Sequence, residues 1–263
     1  MKNINTFNRM KSDNEKITMI TAYDFVQAQI AEEADIDIIL IGDSLGTTIQ
    51  GKENTLPVTV EEMIYHTELV RRGAKNSFIV SDMPFMSYQI DEKEALKNAG
   101  RFVKESGANA VKIEGGINIT HTIEKITGAG IPVVSHIGLM PQFINTMGGY
   151  KVQGRLESEI EKLVLAALEL EKAGSFMMVL EAMPENAADA VQSAVKIPTI
   201  GIGAGRYTDG QVLVFHDAVG MLSSKPPKFV KKYAETRNIM IKALSEFRND
   251  VKNNTFPSSD NIY

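Results

Sequence analysis

Three carboxylates, Asp43, Asp82 and Glu114, each close a short apolar run, and His136 and Glu181 do the same further along the chain. The runs are Ile38–Ile41 leading into Gly42-Asp43-Ser44, Phe78–Val80 into Ser81-Asp82, and Ala110-Val111 into Lys112-Ile113-Glu114. Val133-Val134 leads into Ser135-His136, and Met177–Leu180 into Glu181. Short buried strands that repeatedly end in ionisable groups place those groups on one rim of a parallel sheet. Neighbouring strands lie about 4.8 Å apart, so acids on adjacent rims can converge on one point. Carboxylates crowded without a counter-charge repel each other and protonate. A divalent cation removes that conflict, and an all-oxygen donor set without cysteine favours Mg²⁺ or a similar hard ion. The competing reading is that each acid only caps the helix that follows it.

Lys112 and Glu114 share strand parity, so both face the interior if Ile113 faces outward. A buried lysine needs a partner. It pairs with Glu114 for packing, holds a substrate carboxylate, or forms a Schiff base. His136 is either a satisfied structural histidine or a member of the rim. Glu181 lies about opposite the second strand, too far round for an obvious metal ligand. It is placed for a general base, or for a salt bridge to a loop. Gly201-Ile202-Gly203-Ala204-Gly205, followed by Arg206, either holds an anion or permits close backbone packing.

The elements that must position these groups alternate. Strand-like runs are expected at Ile17–Thr21, Ile36–Ile41, Phe78–Val80, Ala110–Ile113, Pro132–Ser135, Phe176–Leu180 and Pro198–Ile202, with an eighth inside Val212–Met221. Helices are expected at Phe25–Ala34, Val60–Gly73, Thr120–Thr127, Leu156–Ala173, Glu185–Val195 and Phe229–Phe247. Another runs from the Asp91 cap, with Glu94 completing a capping box, to Gly107. Eight strands alternating with helices imply a (β/α)8 barrel, with a doubly wound open sheet as the alternative.

The chain has 263 residues, enough for one such barrel domain, with a polar tail from about residue 249 to 263 expected to fray. Its 43% hydrophobic and 23% charged residues suit a globular fold. A net charge of -5 leaves no electrostatic footprint for nucleic acid or an anionic membrane. There is no cysteine, so thiolate chemistry and disulfides are excluded. The start of the chain, Met1–Lys16, is polar and mixed in charge, and the apolar runs are far shorter than a membrane span. A cytoplasmic protein is expected.

Longer blocks carry a resemblance. Thr21-Ala22-Tyr23-Asp24, Gly42-Asp43-Ser44-Leu45-Gly46, Asp82-Met83-Pro84-Phe85-Met86 and Val111-Lys112-Ile113-Glu114-Gly115-Gly116 resemble the ketopantoate hydroxymethyltransferase family. So do His136-Ile137-Gly138-Leu139 with Pro141-Gln142, Gly148–Gly154, Leu180-Glu181, and Asp209-Gly210-Gln211 with His216-Asp217. Thr47, Ser135, Met140 and Ala182-Met183 depart from the family's usual residues, and none of them is a candidate ligand or base.

The resemblance implies a TIM barrel of the phosphoenolpyruvate/pyruvate type and a homo-oligomer, typically a decamer. It implies transfer of a hydroxymethyl group from 5,10-methylenetetrahydrofolate to 3-methyl-2-oxobutanoate through a Mg-stabilised enolate, in pantothenate biosynthesis. On that reading Asp43 and Asp82 bind Mg²⁺, and Glu114 does so directly or through water. Asp43, Ser44, Asp82, Lys112 and His136 contact the keto acid, and Glu181 takes its C3 proton. A Schiff-base aldolase using Lys112 and a non-catalytic barrel are the rival readings.

Overall fold

The computed structural model describes residues 2–263, and its eight strands close into a parallel barrel in sequence order, β1 to β8. They are β1 Ile17–Thr21, β2 Ile38–Ile41, β3 Phe78–Asp82, β4 Ala110–Glu114, β5 Val133–Gly138, β6 Met177–Glu181, β7 Thr199–Ile202 and β8 Gly210–Leu213. Closure removes the open-sheet alternative: β1 pairs with β8 from Ile17 against Gly210 to Ile20 against Leu213. The chain divides into two compact units, the first ending at Val214 and holding every strand, the second being Phe215–Tyr263.

Strand alternation sorts the side chains. Ile39, Ile41, Ile79, Val111, Ile113, Ile137 and Leu180 point outward and pack with helix residues such as Met63, Phe102 and Leu170. The opposite parity, Ile38, Leu40, Phe78, Val80, Ala110, Val134, Met177 and Val179, fills the interior. Those inward columns continue upward as Phe78-Val80-Asp82, Ala110-Lys112-Glu114, Val134-His136 and Met177-Val179-Glu181. The apolar lower layers thus support a polar upper one.

The lower mouth is closed by a helix that was not anticipated from the polar start of the chain, Ile4–Ser12. Asn3 and Thr6 form its capping box, and it buries Phe7 and Met10. Both join the interior cluster, and the Phe7 ring meets Phe78 edge-on at 5.1 Å. Lys11 secures the helix by donating to the carbonyls of Val195 and Ile197 and to Asp209.

In the second unit, the expected helix Phe229–Phe247 starts later and ends later, at Thr236–Lys252. The amides of Tyr233, Thr236 and Arg237 donate to the carbonyls of Ala218, Val219 and Gly220, which ties residues 229–235 to the preceding turn instead of to a helix. The tail region carries the end of this helix and a 3-10 turn at Ser259–Asn261. Among the described residues no helix is long and apolar enough to cross a membrane.

If Phe7 plugs the barrel, Phe7→Ala should lower the unfolding free energy by about 3–5 kcal/mol in chemical denaturation. A change below about 1 kcal/mol would mean that the ring does not support the interior layer.

Candidate active site

The upper layer is assembled by strand register. Asp82 of β3 lies beside Lys112 of β4, and Glu114 of β4 beside His136 of β5. Asp43 follows β2 and the inward position Gly42, and its backbone N–H donates to Asp82 Oδ2 at 3.0 Å. Glu181 closes β6 opposite Gly138. Gly138 adopts φ 96°, and a Cβ there would stand 2.3 Å from the Glu181 carbonyl oxygen, so only glycine lets β5 and β6 approach this closely.

Lys112 is the hub. Its Nζ lies 3.2 Å from Asp82 Oδ1, 3.8 Å from Glu114 Oε1 and 3.1 Å from His136 Nδ1. His136 bridges two acids, with Nδ1 3.4 Å from Glu114 Oε1 and Nε2 3.2 Å from Glu181 Oε2. The latter contact is an ion pair and not an aligned hydrogen bond. Asp43, Asp82, Lys112, Glu114 and His136 are all buried, and with Ser44 and Glu181 they line a cavity of about 110 Å³. The structure therefore brings together every residue singled out from the sequence for the site.

Burial and the neighbouring Glu114 and Asp82 push the Asp43 carboxyl well above the usual carboxylate range. Burial also raises Asp82, against the pull of Lys112. Burial works against the charge on Glu114 as well, but His136 and Lys112 hold it below the usual range. Burial opposes the charge on Lys112 too, yet Asp82, Glu114 and Asp43 more than compensate and raise it, so it is a firmly held ammonium. Burial and Lys112 disfavour the imidazolium of His136; Glu114 and Glu181 outweigh them and lift it from 6.5 to about 9.

Two further residues complete the site, and neither was given a role from sequence. Gln142, in the 3-10 turn Pro141–Phe143, donates through Nε2 to Asp43 Oδ2 and to the Met83 carbonyl, both at 2.9 Å. Its backbone N–H donates to Glu114 Oε2 at 3.0 Å. Tyr88 donates its hydroxyl toward Gln142 Oε1 (2.8 Å) and the Glu114 carbonyl (2.9 Å), and accepts from the Glu114 N–H (3.1 Å). On the other side, the Tyr23 and Ser44 hydroxyls share a hydrogen bond of 2.8 Å. Only the pairing of Pro141-Gln142 with the His136 block hinted at Gln142.

The glycine run serves packing. A Cβ at Gly205, where φ is 78°, would stand 2.6 Å from Glu185 Cγ, and Arg206 is paired with Glu185 at 2.7 Å. Schiff-base chemistry needs a neutral amine, which the acids around Lys112 oppose.

Among the described residues no three of His, Asp and Glu are already gathered at metal-binding separation. The donor chemistry nevertheless fits a hard cation at Asp43 and Asp82: Asp82 Oδ1 is buried and faces the Lys112 ammonium at 3.2 Å, a single positive charge set against two buried acids. Glu114 fits less directly, because its oxygens already face Gln142, His136 and Lys112.

The raised value of His136 has a consequence for metal-free protein. The imidazole should titrate near pH 9 by NMR, and its stabilising contribution should be fully present below pH 6.5 and lost as the pH rises to about 9. His136→Gln should flatten the stability profile across that interval. Titration near 6.5 would contradict the paired geometry.

Comparison with known proteins covers nearly the whole chain. Residues 1–259 match the sequence model of ketopantoate hydroxymethyltransferase. The 3-methyl-2-oxobutanoate hydroxymethyltransferase of Clostridium beijerinckii is 50% identical, covering 100% of this chain and 96% of that protein. That of Thermosipho melanesiensis is 54% identical, covering 99% and 98%. Among solved structures, a phosphonopyruvate hydrolase complex with oxalate and Mg²⁺ superposes with a TM-score of 0.62 at 11% identity, over 99% of this chain and 93% of that one. A 2,3-dimethylmalate lyase, a PEP mutase/isocitrate lyase superfamily member, gives 0.60 at 14% identity, over 97% and 89%. The likeness to these two barrels is one of fold, and the chain belongs to the ketopantoate hydroxymethyltransferase family.

Proposed function

We propose that this chain transfers a hydroxymethyl group from 5,10-methylenetetrahydrofolate to 3-methyl-2-oxobutanoate, giving 2-dehydropantoate for pantothenate biosynthesis. Family membership supports the substrate pair. The observation that carries the chemistry is the buried group of Asp43, Asp82, Glu114 and Lys112 beneath a carboxylate, Glu181, that is bridged to it by His136.

Lys112 supplies a fixed positive charge for the carboxylate of the keto acid, and the Ser44 hydroxyl, oriented by Tyr23, offers it a hydrogen bond. Asp43 and Asp82 would hold Mg²⁺, and Glu114 would do so directly or through water. When bound, Mg²⁺ supplies the charge that draws electrons toward the keto oxygen and acidifies the C3 proton. Glu181 accepts that proton, with its carboxylate steadied by His136 Nε2 at 3.2 Å. The carbon so exposed bonds to the folate-borne methylene, both C–N bonds of that methylene break and water furnishes the hydroxyl oxygen; the two hydrogens of water and the proton held by Glu181 end as two folate N–H groups and the new O–H, and tetrahydrofolate departs. Closure of the barrel floor by Phe7 and Met10 leaves the upper end for substrate. A homodecamer belongs to the same reading and rests on family resemblance; a cytoplasmic location belongs to it as well.

With no folate present, the C3 proton of 3-methyl-2-oxobutanoate should exchange in deuterated water in a Mg²⁺-dependent way. Glu181→Gln should slow exchange by about 10²–10⁴-fold. Exchange that survives both chelation of the metal and Glu181→Gln would remove these roles. Borohydride trapping of the keto acid on Lys112 would favour the Schiff-base reading instead.

A further inference from the structure

The three rim acids share a feature that their ligand role alone does not require. In each, one carboxylate oxygen is already pinned by a donor of the protein. Asp43 Oδ2 accepts from Gln142 Nε2 at 2.9 Å, Asp82 Oδ2 from the Asp43 N–H at 3.0 Å, and Glu114 Oε2 from the Gln142 N–H at 3.0 Å. Gln142 supplies two of these three bonds, one from its side chain and one from its backbone.

The side-chain bond is locked in polarity. The Met83 carbonyl can only accept, so the NH2 end of the Gln142 amide must face it at 2.9 Å, and the second hydrogen goes to Asp43. At the other end, Gln142 Oε1 accepts from the Tyr88 hydroxyl at 2.8 Å and from Gln89 Nε2 at 3.2 Å. Every group the amide can offer is used, and Gln142 is only 3% exposed. Turning the amide over would set its oxygen against the Met83 carbonyl and the Asp43 carboxylate.

A hydrogen bond takes one lone pair of the pinned oxygen and fixes the carboxylate plane, which disfavours a two-oxygen bite on a cation. Among the described residues Asp43 keeps only Oδ1 without a protein donor. Ca²⁺ takes six to eight oxygens and often both oxygens of a carboxylate, whereas Mg²⁺ requires a tight octahedron and takes one from each. We propose that Gln142 is a specificity-determining positioning residue: by holding Asp43 Oδ2, it turns Asp43 toward one-oxygen ligation and so favours Mg²⁺ over Ca²⁺. This rests on the metal reading of the site given above.

The test measures relative affinity for Mg²⁺ and Ca²⁺ by competition against Mn²⁺, followed by the electron paramagnetic resonance of free Mn²⁺ with no substrate present. Wild type should prefer Mg²⁺. Gln142→Leu, which keeps the backbone N–H and removes the amide, should narrow the Mg²⁺/Ca²⁺ preference by about 10-fold or more, in line with other residues that orient metal ligands. A ratio is insensitive to a uniform loss of stability. If Gln142→Leu does not fold, Gln142→Asn, one methylene too short to reach Asp43 Oδ2, carries the same expectation. A folded variant with the wild-type ratio, or a wild type with no preference, overturns the proposal while leaving the metal site intact. A wild type that binds none of the three cations overturns the metal reading and this proposal with it.

Discussion

Too much negative charge lies in too little water at the upper end of this barrel. Asp43, Asp82 and Glu114 are buried together with one lysine, and Glu181 adds a fourth carboxylate across His136. Burying even one uncompensated carboxylate is costly, and crowding several raises the cost further. The raised Asp43 carboxyl is that cost made visible. Lys112 meets only part of it, although its ammonium lies within 4 Å of two acids. On the proposed reading, the remainder is what makes the site receptive to a divalent cation and to an electron-poor keto acid.

The rest of the architecture serves to hold this imbalance in place. Parity puts Asp82, Lys112, Glu114, His136 and Glu181 on inward columns that rise from an apolar floor. Register then sets acid beside base: Asp82 by Lys112, and Glu114 by His136. The floor is a helix whose Phe7 and Met10 keep the lower interior packed. Electrostatic interactions are strong in such surroundings, so small errors in spacing are expensive. Gln142 and Tyr88 limit those errors by hydrogen-bonding the acids or their backbone from the side.

Much of this was legible in the sequence because strands write their geometry locally. Lys112 and Glu114 could be placed on one face by alternation alone, and the repeated apolar-then-acid ends pointed to a common rim. Gln142 was not legible in the same way. Its partners come from distant parts of the chain, Glu114 from β4 and Asp43 from the turn after β2, 99 residues away. No local pattern distinguishes such an amide from an ordinary loop residue. The plugging helix had a signal that its polar composition masked: Asn3 and Thr6 form a capping box, and Ile4, Phe7 and Met10 recur every third residue. The start of the last helix depended on carbonyls of the preceding turn, a partner that periodicity does not reveal.

The central claim is that the acids and the keto acid belong to one site, linked through a shared cation. Calorimetric titration of 3-methyl-2-oxobutanoate into the protein, with Mg²⁺ and then with excess chelator, tests it most directly. Binding should be readily measured with Mg²⁺ and weakened by at least about 10-fold in chelator, as expected for a shared metal. Keto acid affinity that is the same in both conditions would contradict the account.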